Sequence, residues 1–70
     1  METLYYSLHN FNEDYQEFET INLWQKNKKG ENVIVSEIER DLDNDFSVID
    51  ELNFHVEGWE EETTYLFEKL

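Results

Sequence analysis

Eighteen of the 70 residues are aspartate or glutamate and only five are lysine or arginine, a net charge of −13. Whatever fold this chain adopts must hold a large uncompensated charge on a small surface. Self-repulsion of this kind works against compaction, and small soluble domains ordinarily carry a charge of magnitude about 2–8. The opposing force has to be apolar burial. Aromatic residues from Tyr5 and Tyr6 through Phe11, Tyr15, Phe18, Trp24, Phe46, Phe54 and Trp59 to Tyr65 and Phe67 run end to end. That argues against disorder, which needs low hydrophobicity together with high charge. A chain of this length buries only about 60% of its unfolded surface, so residues 1–70 are expected to form one domain with one core.

Cysteine is absent, which excludes disulfides and thiolate metal sites. The segment Met1-Glu2-Thr3-Leu4-Tyr5-Tyr6 lacks the basic region and long apolar core of a signal peptide. No apolar run approaches the about 20 residues of a membrane span, and an anionic membrane surface would repel the chain. The expected location is the cytoplasm.

There is no repeat, no low-complexity tract and no proline; the only glycines are Gly30 and Gly58. Thr3 to Leu8 and Thr63 to Lys69 read as strands, the second with Tyr65 and Phe67 on one face and Leu66 on the other. Asn32 to Arg40 is the strongest strand, with β-branched Val33, Ile34, Val35 and Ile38. Two readings compete for the segment before it. Glu17 to Gln25 forms a hairpin with that strand through Lys26-Asn27-Lys28-Lys29-Gly30. Alternatively Asn12 caps a helix with Glu13 and Asp14 in its first turn, three lysines in its last and Gly30 just beyond. Asp45 to Phe54 reads as a short helix with Phe46, Ile49 and Leu52 on one face and Asp43, Asp45 or Ser47 as its cap. The expected class is α+β: a small antiparallel sheet with one short helix packed on it.

The charge is concentrated. Residues 36–62 carry eleven acids and only Arg40. In the hairpin reading a five-residue loop sets Ile21 opposite Val35, Glu19 opposite Glu37 and Glu17 opposite Glu39. Four carboxylates would then share one face, although like charges directly opposite destabilise a sheet. The series continues as Glu37, Glu39, Asp41, Asp43 and Asp45, one acid at every second position. If extended, these carboxylates stand about 6.6 Å apart along one side, comparable to the regular row of charges that duplex DNA presents. Asp50, Glu51, Glu57, Glu60, Glu61 and Glu62 enlarge this surface, and Trp59 among them reads as an interface anchor. Acids at a helix N-terminus are worth about 0.3–1 kcal/mol each; that accounts for Asp43 and Asp45, not for the run from Glu60 to Glu62.

Chemistry finds little support. Asp41-Leu42-Asp43-Asn44-Asp45 opens like a calcium-binding loop, but the sixth position is Phe46 instead of glycine and the twelfth is Leu52 instead of glutamate. His9 and His55 stand alone, without metal-ligand spacing. Ser7, Ser36 and Ser47 have no nucleophile signature, and no glycine-rich loop can cradle a phosphate. The chain does not read as an enzyme, and no cofactor or metal is expected. The Lys26-Asn27-Lys28-Lys29 cluster is too small for nucleic-acid binding against the overall charge, although it could attract the acidic segment of a second copy.

In length, charge and the acidic segment from Glu37 to Asp45 with the Glu60-Glu61-Glu62 run, the chain resembles the small acidic DNA-mimic proteins of bacteriophages. It looks most like the type that targets the bacterial nucleoid-associated protein HU. The resemblance implies a basic DNA-binding host protein as partner, no direct binding of nucleic acid, a homodimer, and a site in the host bacterial cytoplasm. The rival expectation is an acidic protein-interaction module, antitoxin-like or adaptor, whose basic target surface is not a DNA-binding site.

Overall fold

The computed structural model describes residues 1–59 and 63–70. Four strands, β1 (Glu2–Asn12), β2 (Glu17–Lys26), β3 (Asn32–Glu39) and β4 (Tyr65–Lys69), accompany one helix, α1 (Val48–Val56). The sheet order is β3-β2-β1-β4. The first three strands form an antiparallel meander. β4 runs parallel to β1, with Glu2 beside Tyr65 and Leu4 beside Phe67. The α+β class is as expected, while the sheet is mixed instead of wholly antiparallel. A parallel neighbour requires a crossover, and α1 lies in the connection that takes the chain from one sheet edge to the other.

The crossover makes the core. Leu4, Ile21 and Leu23 from the sheet meet Leu52 and Val56 from the helix, all buried, with Tyr6, Leu8, Ile38, Val48, Tyr65 and Phe67 packed around them. Period-two alternation places Leu4, Tyr6 and Leu8 on one face of β1. The helical stripe is Val48, Leu52 and Val56, spaced four apart. Of the expected stripe only Leu52 is interior; Phe46 is 58% exposed and Ile49 41%. The start signal explains the difference. Ser47 Oγ accepts from the amide of Asp50 at 3.1 Å while the Asp50 carboxylate accepts from the amide of Ser47 at 3.3 Å. This reciprocal capping box begins the helix at Val48, which leaves Phe46 outside it.

The segment 12–28 is the hairpin, not the helix. Asn12 does cap, but it caps a turn: its Oδ1 accepts from the amides of Asp14 and Tyr15 at 2.9 and 3.2 Å. Gln16 closes that turn with φ of 55°. On the far side Asn27 Oδ1 accepts from the amides of Lys29 and Glu31, and Gly30 takes φ of 80°. That conformation suits glycine, which has no Cβ to clash.

The pairing register differs from the sequence expectation. Gln25 opposes Val33, Leu23 opposes Ser36 and Ile21 opposes Ile38, with an irregularity between Leu23 and Trp24 that leaves Val35 as the extra residue on β3. This bulge lets Ile38, instead of Glu37, fall beside Ile21 on the core face. Glu37 therefore faces Asn22 and Glu39 faces Thr20, and Glu17 pairs with Asn12 on β1. The expected Glu19–Glu37 and Glu17–Glu39 oppositions do not form, which removes the like-charge penalty.

Truncating the middle of this core should be costly. Ile21→Ala is expected to lose about 2–5 kcal/mol, a large share for a domain stabilised by about 0.05–0.15 kcal/mol per residue. Leu66→Ala, on a side chain 48% exposed, should stay within about 0.5 kcal/mol of wild type. Urea denaturation midpoints check both.

Candidate functional site

Where β3 ends, Arg40 turns inward, and its side chain is only 3% exposed. Nη1 donates to Glu17 Oε2 and to the carbonyl of Phe18, each at 3.0 Å, and Nη2 donates to the carbonyl of Phe46 at 3.1 Å. Nε donates to Glu51 Oε1 at 3.3 Å. One planar fork thus ties the start of β2, the residue before the helix cap and the first turn of α1. Lysine, a point charge on a flexible stem, has no such fixed geometry. The loop 40–47, which carries Asp41, Asp43 and Asp45, is held between these points.

The rest of that loop is organised by its own acids. Asp41 Oδ1 accepts from the amide of Asp43 at 3.1 Å, and Asp41 Oδ2 accepts from Asn44 Nδ2 at 3.3 Å. The Tyr15 hydroxyl, reaching across from the β1–β2 turn, donates to Asp43 Oδ1. The Asp43 carboxylate, through that hydrogen bond and its charge, holds the Tyr15 phenol above its ordinary pKa of 10.0. The extended row of acids therefore stops at Glu39. Glu37 and Glu39 share a strand face about 6.6 Å apart, and from Asp41 onward the chain turns.

The residues expected to form the surface fall into three groups. Glu17 and Glu51 are committed to Arg40. Glu19, Glu39, Asp41, Asp43 and Asp50 accept from uncharged donors: Asn12 Nδ2 to Glu19 Oε1 at 2.8 Å, the Thr20 hydroxyl to Glu39 at 3.2 Å, and the loop and cap donors already described. Glu37, Asp45 and Glu57 are exposed. All of β3's acids and those of the following loop keep their negative charge facing outward. Glu60, Glu61 and Glu62 lie outside the described residues.

Trp59 is 40% exposed. Its ring packs edge-on against His55 and Tyr65, with centroids 5.7 and 5.9 Å away. It is as much a cover for the helix–β4 junction as a surface feature.

No family model, curated protein or solved structure matches this chain.

The site therefore rests on its own geometry, and that geometry includes residues the sequence reading passed over. Arg40 was visible as the single cation in an acidic segment, a signal of internal pairing. Phe46, expected in the core, stands at the surface with Phe54, which is 78% exposed.

Two measurements probe this construction. Arg40→Ala leaves the Phe18 carbonyl and Glu51, both part-buried, without their donor, at about 1–3 kcal/mol for each; the Phe46 carbonyl is exposed and water replaces its donor. The half-exposed Glu17 adds only the about 0–1 kcal/mol of a surface pair. A melting temperature lower by at least about 10 °C is expected, since each kcal/mol shifts it by about 4–8 °C in a domain of this size; Arg40→Lys should fall between.

The second concerns Tyr15. The difference between ultraviolet titrations of wild type and Tyr15→Phe should show a phenol ionising above pH 10, and Asp43→Asn should bring that midpoint down. A raised phenol pKa means the folded state holds its proton longer than the unfolded one. The stabilisation is full below the ordinary tyrosine pKa and is lost as pH rises through the raised one.

Proposed function

We propose that this chain is a DNA mimic that occupies the DNA-binding surface of a basic host protein, with an HU-like nucleoid protein as the favoured target. The observation that carries this reading is the outward display of Glu37, Glu39, Asp41, Asp43 and Asp45, all exposed. They lie along an edge strand and the loop that continues it. Neutral donors set the geometry of Glu39, Asp41 and Asp43, so their charge remains available to a partner. A cationic partner relieves the repulsion that this concentration builds into the isolated protein.

The mechanism is electrostatic docking. Opposed potentials accelerate encounter, and the acceleration falls as salt screens it over a Debye length of about 10 Å at 0.1 M. The DNA-mimic reading and its rival, an adaptor meeting a basic surface that does not bind DNA, separate on one point. Duplex DNA displaces a mimic from its target and leaves an adaptor bound.

The test uses purified HU, a salt series and a competing duplex. Glu37→Lys is compared with Glu68→Lys, an equal change of net charge at an exposed residue on the far strand. Glu37→Lys should reduce the association rate several-fold more than Glu68→Lys and flatten its salt dependence, with duplex DNA competing against wild type. Equal effects of the two reversals would mean that only overall charge matters and would defeat a localised mimic surface; absence of HU binding would remove HU as the target.

A further inference from the structure

β3 is an open edge of the sheet. In the order β3-β2-β1-β4 it has β2 on one side and, among the described residues, no strand on the other. We infer that this edge pairs antiparallel with the β3 edge of a second copy, joining two four-stranded sheets about a two-fold axis near Ile34.

An unpaired strand presents a row of backbone N–H and C=O groups, and sheets ordinarily protect it with charged side chains, proline or a very short strand. The other edge follows that rule: β4 has five residues and carries Glu68 and Lys69. The first part of β3 does not. Asn32-Val33-Ile34-Val35-Ser36 has no charge and no proline, and the bulge at Val35 leaves the strand continuous from Asn32 to Glu39. Val33, Ile34 and Val35 are 47%, 41% and 40% exposed. Successive side chains of a strand point to opposite faces, so Val33 and Ile34 open to different sides of the sheet. A partner lying on one face would cover only one of them. A strand added along the edge flanks both.

Charge selects both the occupant and its direction. Three of the chain's four lysines, Lys26, Lys28 and Lys29, lie just before β3, and Glu37 and Glu39 lie at its far end. Lys28 and Lys29 are exposed and make no ion pair among the described residues. Ile34 stands five residues from Lys29 and five from Glu39. An antiparallel pairing centred there brings the lysines of each copy level with the glutamates of the other. A parallel pairing would set lysines against lysines and glutamates against glutamates, which is destabilising. The edge is self-complementary in one orientation only, the one a two-fold contact between identical patches uses.

The pairing leaves the acidic surface acidic. The joined sheet carries twice the charge of −13, and Asp41, Asp43 and Asp45 lie beyond the end of β3. Its two outer edges are then both β4, short and charged, so growth stops at two copies. No host protein is required for it to form.

The test is sedimentation equilibrium of the full chain at moderate salt, where wild type should be dimeric. Lys28→Glu/Lys29→Glu and Glu37→Lys/Glu39→Lys should each weaken the dimer at least about ten-fold, because each sets like charges at both ends of the pairing. An equimolar mixture of the two variants should restore it, because both ends of the mixed pair are then opposite in charge. The chain has no cysteine, so Ile34→Cys supplies a single thiol. Opposed residues of an antiparallel pair have Cα atoms about 4.5–5.5 Å apart, within disulfide reach. Mild oxidation should therefore cross-link Ile34→Cys to itself and leave Leu66→Cys, on β4, monomeric in denaturing electrophoresis.

A wild type that stays monomeric across the concentration series overturns the pairing. So does a dimer that survives both charge reversals and gives no Ile34→Cys cross-link; its dissociation by Phe54→Ser would place the contact on the helix.

Discussion

The guanidinium of Arg40 is the contact on which the acidic half of this protein depends. The segment from Glu37 to Glu51 contains seven carboxylates and that one cation. Unconstrained, such a stretch would extend and stay solvated, because mutual repulsion adds to the entropy of an unfixed chain. Arg40 prevents this by joining three places that the sequence separates: the start of β2, the residue that leads into the helix cap, and the first turn of α1. The crossover helix can then settle on the sheet, and its Leu52 and Val56 complete the core. The distribution of exposure matters here. The cation is buried and Glu51 is mostly so, at 13%, while Glu17 is half-exposed. The contact acts more as a geometric clasp built on two backbone carbonyls than as a pair of ion bridges.

With the clasp in place, the remaining acids are positioned without being neutralised. Thr20, Asn12, Tyr15 and the loop's own amides donate to Glu39, Glu19, Asp43 and Asp41. Each neutral donor fixes a carboxylate's direction and leaves its full charge in place. Ordering a long side chain at an interface costs about 0.5–1.5 kcal/mol. A surface whose carboxylates are already fixed by folding carries less of that cost into association. The bulge at Val35 belongs to the same logic. By moving Ile38 onto Ile21 it sends Glu37 and Glu39 to the opposite face, against the uncharged Asn22 and Thr20. The acids stand side by side along an edge instead of across a ladder, where like charges repel at closest approach.

The strands were legible because alternation is local: Leu4, Tyr6 and Leu8, or Tyr65 and Phe67, announce their face without reference to the rest of the chain. The strands before the first turn and after the second followed from that pattern, and the single helix from its own apolar spacing, whereas the segment 12–28 stayed open between a hairpin and a helix. What escaped depends on partners distant in sequence. Nothing within residues 63–70 specifies that β4 lies parallel to β1, since that direction comes from the crossover. The strand register was misplaced because the five-residue loop starts one residue later, at Asn27 instead of Lys26, and because one extra residue, Val35, is invisible to a count of loop length. The helix stripe was misplaced because apolar spacing from Phe46 outweighed the Ser47–Asp50 capping pair, which was the better start signal. Of the surface residues, those on β3 and its loop could be named from charge alone. The commitment of Glu17 and Glu51 to Arg40 could not, because it requires knowing that β2 begins beside the end of β3.

These departures bear on how the charge can be used. A straight row from Glu37 to Asp45 would offer evenly spaced carboxylates along one line. The turn at Asp41 breaks that line after Glu39 and carries Asp43 back toward Tyr15 on the β1–β2 turn. The exposed acids therefore form a bent ridge along one sheet edge and around its end. A flat basic surface would meet only part of such a ridge. A basic surface that is itself curved would meet more of its carboxylates together. For a protein proposed to stand in for DNA, that shape distinguishes partners in a way net charge alone cannot. Screening weakens every cationic competitor alike, whereas a bent ridge rewards only a partner whose cations follow the same curve.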